Sequence, residues 1–518
     1  MVIPMLSSVG LSLYERVRSS PGLSLAAVFG LYAAFWVLRA VYYLTLHPLA
    51  RYPGPRSAAV STWWIYRLSK TYRIEQRLEQ LHKRYGTKVL RIAPNELHID
   101  DPSFYHEIYS QKNLYQKHPY FYAGFNAPGT VFSDHNFGLQ RERRKLMNPA
   151  FSKQSIARMQ DVLDETIRRA CNELGRVKND GVIHIHNFFR CMTVDIISEL
   201  AFGQSLGLLS KAQDNTFQQP ILEALDFVVE NVVDFHYWPL YRGAANVCPG
   251  FITRIVAPKT LKFYFAVQAI QGALKNYLRS KDAMDEKRRD ATIFKPLEHL
   301  TNRELMNESI NIIIAGSDTT ATTLGFAIHE ILKNPAISRK LTAEIDAAMP
   351  QGFKDLPLSE AEKLDYLSAV VKESLRLAMP VPGRLPRIVP GAKSKVDSLI
   401  VDGRVIPEGT VIGISAWSVH YSEDIWGPDA REFRPERWLV EDSKRLERYL
   451  VTFSKGARIC LGINLAYAEI RLTLAQLFRR FTFSLDETME PIDTEKMDCF
   501  TTAFGGTGPR IYITGERV

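Results

Sequence analysis

From Thr301 to Asn334 the sequence reads as one unbroken helix, and its centre, Ile310 to Phe326, holds a single ionisable residue, Asp318. Thr301-Asn-Arg-Glu304 has the form of a capping box, in which a hydroxyl and a carboxylate satisfy the free amides of the first turn. Pro335 cannot continue the ladder and closes the helix. At 1.5 Å per residue such a helix is roughly 50 Å long, the width of a sizeable domain. An apolar helix centre must be covered on all sides, so the rest of the chain has to be built around it.

The surrounding text suits that demand. It is mainly helical from about Ser152 to Phe202, with a break near Asn179–Gly181. Further helices are expected over about Glu360–Leu377 and about Ile463–Arg480. Short strand-like pieces stand at Lys88–Ile92, Glu96–Ile99, Ser398–Val401 and Val411–Ser415, and Lys211 to about Arg289 is mixed and rich in aromatics. The expected fold class is mainly α with small β-sheets. Hydrophobic residues make up 46% of 518, enough for one large core, and charged residues 23%, the level of an ordinary globular chain. The 65 Lys+Arg against 56 Asp+Glu form no basic block or zinc-finger spacing, which argues against nucleic acid. A net charge of +9 suits an acidic protein partner or an anionic membrane. Five scattered cysteines (Cys171, Cys191, Cys248, Cys460, Cys499) include no CxxC pair, so a reducing compartment is expected.

Residues Ser19 to Leu38 are twenty without a charge, the length that crosses a hydrocarbon core about 30 Å thick. Arg39 can snorkel to the headgroups, beside Trp36, Tyr42 and Tyr43. The expected organisation is a tail over 1–18, a transmembrane anchor over 19–46, a Pro-rich hinge over 47–56 around Tyr52-Pro-Gly-Pro55, and one domain over 57–518. A cleaved signal peptide and a buried core helix fit the run less well. Arg51, Arg56, Lys70 and Arg73 after the span place the body on the cytosolic side, against Glu15, Arg16 and Arg18 before it.

Chemistry concentrates in Phe453-Ser-Lys-Gly456-Ala-Arg458-Ile-Cys460-Leu-Gly462. Cys460 stands at a loop-to-helix junction, where backbone N–H groups lower a thiol pKa. Gly456 permits a tight loop, Gly462 removes a side chain where something flat must approach, Arg458 supplies a positive charge and Phe453 an apolar wall. Such a site suits a flat dianion whose metal takes a soft anionic donor, namely haem held by Cys460. A lone cysteine is more often an inert core residue; Phe, two Gly and Arg in fixed register remove that reading. Glu373 and Arg376, three apart, share a helix face. On a surface such a pair is worth under about 1 kcal/mol. In the long helix, Ala315 and Gly316 leave room for a diatomic ligand, Thr319 offers a hydroxyl, and Asp318 is costly there without a task or a partner.

Taken together, Phe453–Gly462, Glu373-Ser-Leu-Arg376, Phe433-Arg-Pro-Glu-Arg-Trp438 and Ala315-Gly-Ser-Asp-Thr-Thr320 resemble, in the expected order, four motifs of the cytochrome P-450 family. The resemblance runs from the anchor to near the C-terminus and implies one large domain with a long central helix. It implies haem b with Cys460 as axial iron ligand, dioxygen as co-substrate, and proton guidance by Asp318 and Thr319. Arg437 is implied as a third, buried partner of Glu373 and Arg376, bracing the haem loop. The implied propionate cations are Arg458, Arg387 and Arg144, with Gln140 standing where the family often has Trp or His. The implied partner is an NADPH-dependent reductase, with a cytochrome b-type protein as an alternative donor, at the endoplasmic reticulum membrane.

Substrate contacts in this family come from variable segments, here including Phe121, Phe125, Phe227, Trp238, Ile312, Val381, Phe500 and Phe504. The wording of Gly383-Arg-Leu-Pro-Arg387 and of Arg143–Phe151 is similar to fungal enzymes of secondary metabolism, and implies an apolar terpenoid or polyketide-type substrate. Two other functions share the loop: a haem-thiolate isomerase or dehydratase that leaves dioxygen alone, against which Asp318 and Thr319 argue, and a membrane haem sensor without turnover. Phe504-Gly-Gly-Thr-Gly508 lacks the Lys of a phosphate loop, and His184 and His186, alternating as on a strand, have no third metal ligand.

Overall fold

The computed structural model describes residues 21–111, 115–247, 260–284, 289, 292–349, 356–391 and 398–517. The tail over 1–18, the first two residues of the expected anchor and Cys248 lie outside them. Nine helices position the site: α1 (Pro21–Thr45), α2 (Ile74–Tyr85), α3 (Phe137–Met147), α4 (Gln160–Val177), α5 (Ile185–Phe202), α6 (Pro220–Tyr237), α7 (Asn302–Lys333), α8 (Asp365–Ala378) and α9 (Ile463–Arg480).

Helix α7 begins at the expected capping box: the Thr301 hydroxyl accepts from the Glu304 N–H, and the Glu304 carboxylate accepts from the Thr301 N–H at 3.0 Å. It runs through the middle of the molecule, packed on α5, α8 and α9. Ile313, Leu324, Ala327, Ile328 and Ile331 of α7 are fully buried. Each large aliphatic side chain so covered contributes about 1.5–3 kcal/mol, so the uncharged centre is the axis of the core.

Three helical readings change. Pro335 does end α7, but as the first residue of another helix, Pro335–Ala348, capped by the Asn334 side chain. The helix expected over Glu360–Leu377 is two, Leu358–Ala361 and α8. Glu344 restarts the chain by accepting from the N–H groups of Tyr366 and Leu367, both at 2.8 Å, a cap supplied from another helix. The aromatic stretch after Lys211 folds mostly as helices, α6, Pro239–Val247 and Thr260–Ser280, and His186 lies in α5, not on a strand.

The largest sheet has the spatial order Val89–Ala93, Glu96–Ile99, Val411–Gly413, Arg387–Ile388, Gln116–Lys117. Its pairs are antiparallel except that of Glu96–Ile99 with Val411–Gly413. The register sets Lys117 directly opposite Arg387. At the N-terminal end, the 21 residues Leu25–Thr45 of α1 include an 18-residue stretch with a mean hydropathy of 1.7, none of it buried, which removes the core-helix reading. The helix is long and apolar enough to cross a membrane. Its end is fastened to the sheet: buried Arg91 donates to the carbonyls of Tyr43 at 2.8 Å and Pro94 at 2.7 Å, and its own N–H to that of Pro53 at 2.7 Å.

Candidate active site

The loop before α9 turns tightly because the Cys460 N–H returns to the Phe453 carbonyl at 2.8 Å. Gly456 has a left-handed φ of 70°, and a Cβ there would stand 2.5 Å from the Ser110 backbone, so only glycine fits. A Cβ on Gly462 would meet nothing within 4 Å, which leaves open room beside α9. That room belongs to a cavity of about 340 Å³, lined by Phe453, Arg458, Cys460 and Gly462 from the loop and by Ile312, Ala315 and Thr319 from α7. Cys460 and Ala315 are exposed although both lie deep in the fold, because they face this cavity.

Burial pushes the Cys460 thiol up, although the Gly462 N–H and Arg144 pull it down. The expected lowering by loop amides is therefore present but outweighed by desolvation. A metal supplies what is missing, since a coordinating thiol is deprotonated outright.

Four cations converge on the cavity. Arg458 and Arg144 line it, and Lys117 joins them; Arg387 lies next to Lys117 through the sheet register. Among the described residues none of the four forms an ion pair with a carboxylate. They donate instead to neutral oxygens: Arg144 to the Ile459 carbonyl at 2.6 Å, Arg458 to that of Asp134 at 2.9 Å, Arg387 to the Tyr122 hydroxyl at 2.8 Å, and Lys117 to the Phe132 carbonyl. Burial, and then Arg387, push Arg458 down to about 10, and the same causes push Lys117 well below the usual lysine range. Buried like charges in this state need an anion between them.

Behind the loop lies a closed ionic network. Arg376 grips Glu373 with two bonds, 2.9 and 2.8 Å, and Arg437 donates to Glu373 at 2.9 Å. The Trp438 indole and the Arg434 N–H satisfy the same carboxylate at 2.9 and 3.0 Å. Glu373, Arg376 and Arg437 are all buried, so the surface-pair reading is removed. The network reaches the loop through α8: the Thr452 hydroxyl donates to the Leu375 carbonyl at 2.8 Å.

On α7 the Thr319 hydroxyl donates to the Ala315 carbonyl at 2.9 Å and lines the cavity. Asp318 is buried and does not line it; Arg190 of α5 donates to Asp318 at 2.9 Å and to Asp226 of α6 at 2.7 Å. Gly316 lines the cavity beside Ala315, and it also has a packing reason to be small. A Cβ there would stand 2.7 Å from Ile197, so the glycine lets α5 pack against α7.

The cytochrome P-450 family model matches residues 53–505. The chain belongs to the cytochrome P-450 family. A cytochrome P-450 monooxygenase of Ascocoryne sarcoides is 31% identical over 92% of this chain and 95% of that protein. One of Aspergillus aculeatus is 32% identical over 85% and 90%, and one of Penicillium terrestre 31% over 89% and 92%. The family makes this cytochrome P-450 a haem-thiolate monooxygenase that uses dioxygen. Its own residues fit the haem: a thiol facing the cavity, room beside Gly462, and four cations lacking an anion.

Of the expected pocket residues, Phe125, Ile312 and Val381 line the cavity, whereas Phe121 and Phe504 do not. Phe121 stacks on His236 behind Phe125, and Phe504 packs on His186. Phe500, also expected among these aromatics, lines the cavity. Of the basic run in α3, Arg141 is exposed, while buried Arg143 pairs with Glu304 at 2.9 Å. Gln140 also lines the cavity.

Two cavity residues escaped the sequence reading. Lys117 is a single lysine in a two-residue strand, and nothing local marks it; only its pairing with Arg387 does. Glu469 of α9 lines the cavity and is 1% exposed, with neither oxygen in a hydrogen bond of good geometry. Burial pushes it up to about 8, against a smaller pull from the nearby Thr320 hydroxyl. A carboxyl nine residues past a cysteine, on the inward face of an amphipathic helix, was the available signal.

Proposed function

We propose that this cytochrome P-450 inserts one oxygen atom from dioxygen into an apolar secondary metabolite of terpenoid or polyketide type. Electrons come from an NADPH-dependent reductase, and α1 anchors the enzyme in the endoplasmic reticulum membrane with its body in the cytosol. The observation that carries the reading is the cavity itself, with the Cys460 thiol beside Gly462, three cations on its wall and Arg387 next to them, none paired with a carboxylate among the described residues, and otherwise largely apolar walls. The relatives named above are fungal monooxygenases, which supports the substrate class.

The division of labour follows from the chain's own groups. Cys460 would hold the haem iron, and Arg144, Arg387, Arg458 and Lys117 would hold the propionates. Haem with a thiolate ligand supplies dioxygen activation, because electron donation from sulfur favours O–O cleavage. Thr319 holds its hydroxyl at the cavity wall, where it would pass a proton by turning its O–H away from the Ala315 carbonyl and into the cavity. Two carboxyls stand nearby: Asp318, next to Thr319 on α7 and tied to Arg190, and Glu469, beside the Thr320 hydroxyl and protonated below about pH 8. Phe125, Val381 and Phe500 exclude water and seat the hydrocarbon.

The test is the spectrum of the reduced, carbon-monoxide-bound protein, in which thiolate ligation gives a red-shifted band, followed by turnover under labelled dioxygen. The band is expected in the wild type and absent in Cys460→Ala, and the label is expected in a product whose formation requires the reductase. A nitrogen axial donor, or product formation without dioxygen, would overturn the reading.

A further inference from the structure

One fully buried carboxylate takes no part in the chemistry above. Glu308 of α7 accepts from the Val131 N–H at 2.8 Å through Oε1, with Arg143 Nε at 3.7 Å, and its Oε2 has no hydrogen-bond partner of good geometry. Burial pushes this carboxyl up to about 7, while the Val131 N–H, Arg143 and the Asn311 amide pull it down. Both Val131 and Asn311 line the cavity. Glu308 therefore sits behind the wall and bonds or faces two groups that form it, from two different elements.

Asn311 is one of two carboxamides on that wall, with Gln140 of α3 the other. It shares a face of α7 with Ala315 and Thr319, at i, i+4 and i+8, and all three line the cavity. The charged residues on the wall are Lys117, Arg144, Arg458 and Glu469, already assigned to haem and proton handling. A charged substrate would find no counter-ion left. Above about pH 7 Glu308 is ionised and accepts only, so there it favours the orientation in which Asn311 turns its NH₂ towards the carboxylate and its carbonyl oxygen towards the cavity.

We propose that Asn311 is the anchor for a single hydroxyl group on an otherwise hydrocarbon, uncharged substrate, and that Glu308 is the positioning residue that turns the Asn311 carbonyl oxygen towards the cavity. The inference rests on the monooxygenase reading and adds a ruler to it. Ala315, beside the expected diatomic ligand, lies four residues beyond Asn311 and Thr319 eight, rises of about 6 and 12 Å along the helix. The carbon attacked thus lies about 6–12 Å along the skeleton from the anchored hydroxyl.

The experiment uses the holoenzyme and rigid probes: androstane, its 3β-alcohol and its 3-ketone, with decalin and 2-decalol as a smaller pair. Binding is read as the change in ferric haem absorbance when a probe displaces water. One hydrogen bond corresponds to about tenfold in affinity. Androstan-3β-ol is expected to bind about tenfold tighter than androstane or the ketone, and to be oxidised in the ring farthest from its hydroxyl. Asn311→Leu should erase the preference without weakening androstane. Glu308→Gln, whose amide both donates and accepts, should narrow the gap between alcohol and ketone. Equal affinities, a preference that survives Asn311→Leu, or no shift with any probe overturns the proposal. The carbon monoxide spectrum of each sample keeps the two readings apart: a missing thiolate band counts against the monooxygenase reading, and a normal band without alcohol preference counts against the anchor.

Discussion

Replacing Lys117 by Met should have opposite effects on the haem-loaded and haem-free protein. With haem in place, Lys117 would meet a propionate under the proposed assignment, and a hydrogen bond to a charged group is worth about 1.5–3 kcal/mol. Losing it should speed haem transfer to apomyoglobin by about tenfold to a hundredfold. Without haem, the ammonium is buried beside Arg387, Arg458 and Arg144, with a carbonyl as its bonded partner. Methionine keeps contact with the Tyr122 and Phe132 rings, which lie 4.0 and 4.5 Å from the ammonium. Removing an uncompensated buried charge should stabilise the haem-depleted protein by about 1–4 kcal/mol. The pH dependence has a definite sign. Folding lowers the Lys117 pKa, so between the folded value and the ordinary 10.5 the unfolded chain binds more protons, and stability rises with pH. The advantage of Lys117→Met is therefore greatest at low pH and shrinks towards pH 10.5. Haem transfer and the proteolysis rate of haem-depleted protein, each followed across pH, measure both limbs. A variant that loses haem no faster, or whose haem-free form is less stable than the wild type at low pH, would refute the assignment.

Other perturbations test the remaining parts of the site. Arg376→Met leaves Glu373 buried with one guanidinium in place of two, and should cost about 3–5 kcal/mol in denaturant unfolding; a cost under 1 kcal/mol would mean the network is not closed. Gly456→Ala should displace the loop from Ser110 and abolish the thiolate band, and a normal spectrum would show that the φ of 70° is not required. Thr319→Ala should keep the band but release peroxide in place of product, and undiminished coupling would remove its hydroxyl from the proton path. Glu469 loses its proton as pH rises through about 8, so wild-type coupling should fall there while Glu469→Gln stays flat; parallel profiles would exclude the carboxyl.

Legibility in the sequence followed the range of the forces involved. The long helix, its capping box and the amphipathic helix after Cys460 are local patterns, and they formed within a residue or two of expectation. Glu373 and Arg376 were visible as a pair, but their burial came from Trp438, Arg434 and Arg437, some sixty residues on. Lys117 was silent because its meaning lies in strand register. Asp318 looked unpartnered because Arg190 stands 128 residues earlier. Phe121 and Phe504 were chosen as aromatics in variable segments, and aromatic type alone does not say which face of a loop meets the cavity. The helix break before α8 depends on Glu344, a cap that no reading of Glu360–Leu377 alone contains.

Arg91 changes what the segment after α1 can be. A swivel there would let the body drift over the bilayer, but the guanidinium and the Arg91 N–H tie Tyr43, Pro53 and Pro94 into one joint. A transmembrane helix adjusts its tilt to the thickness of the hydrocarbon it crosses. With a stiff joint, that tilt is passed to the catalytic body as a change of posture. For the membrane anchor proposed for α1, bilayer thickness would then be a handle on the posture of the catalytic body.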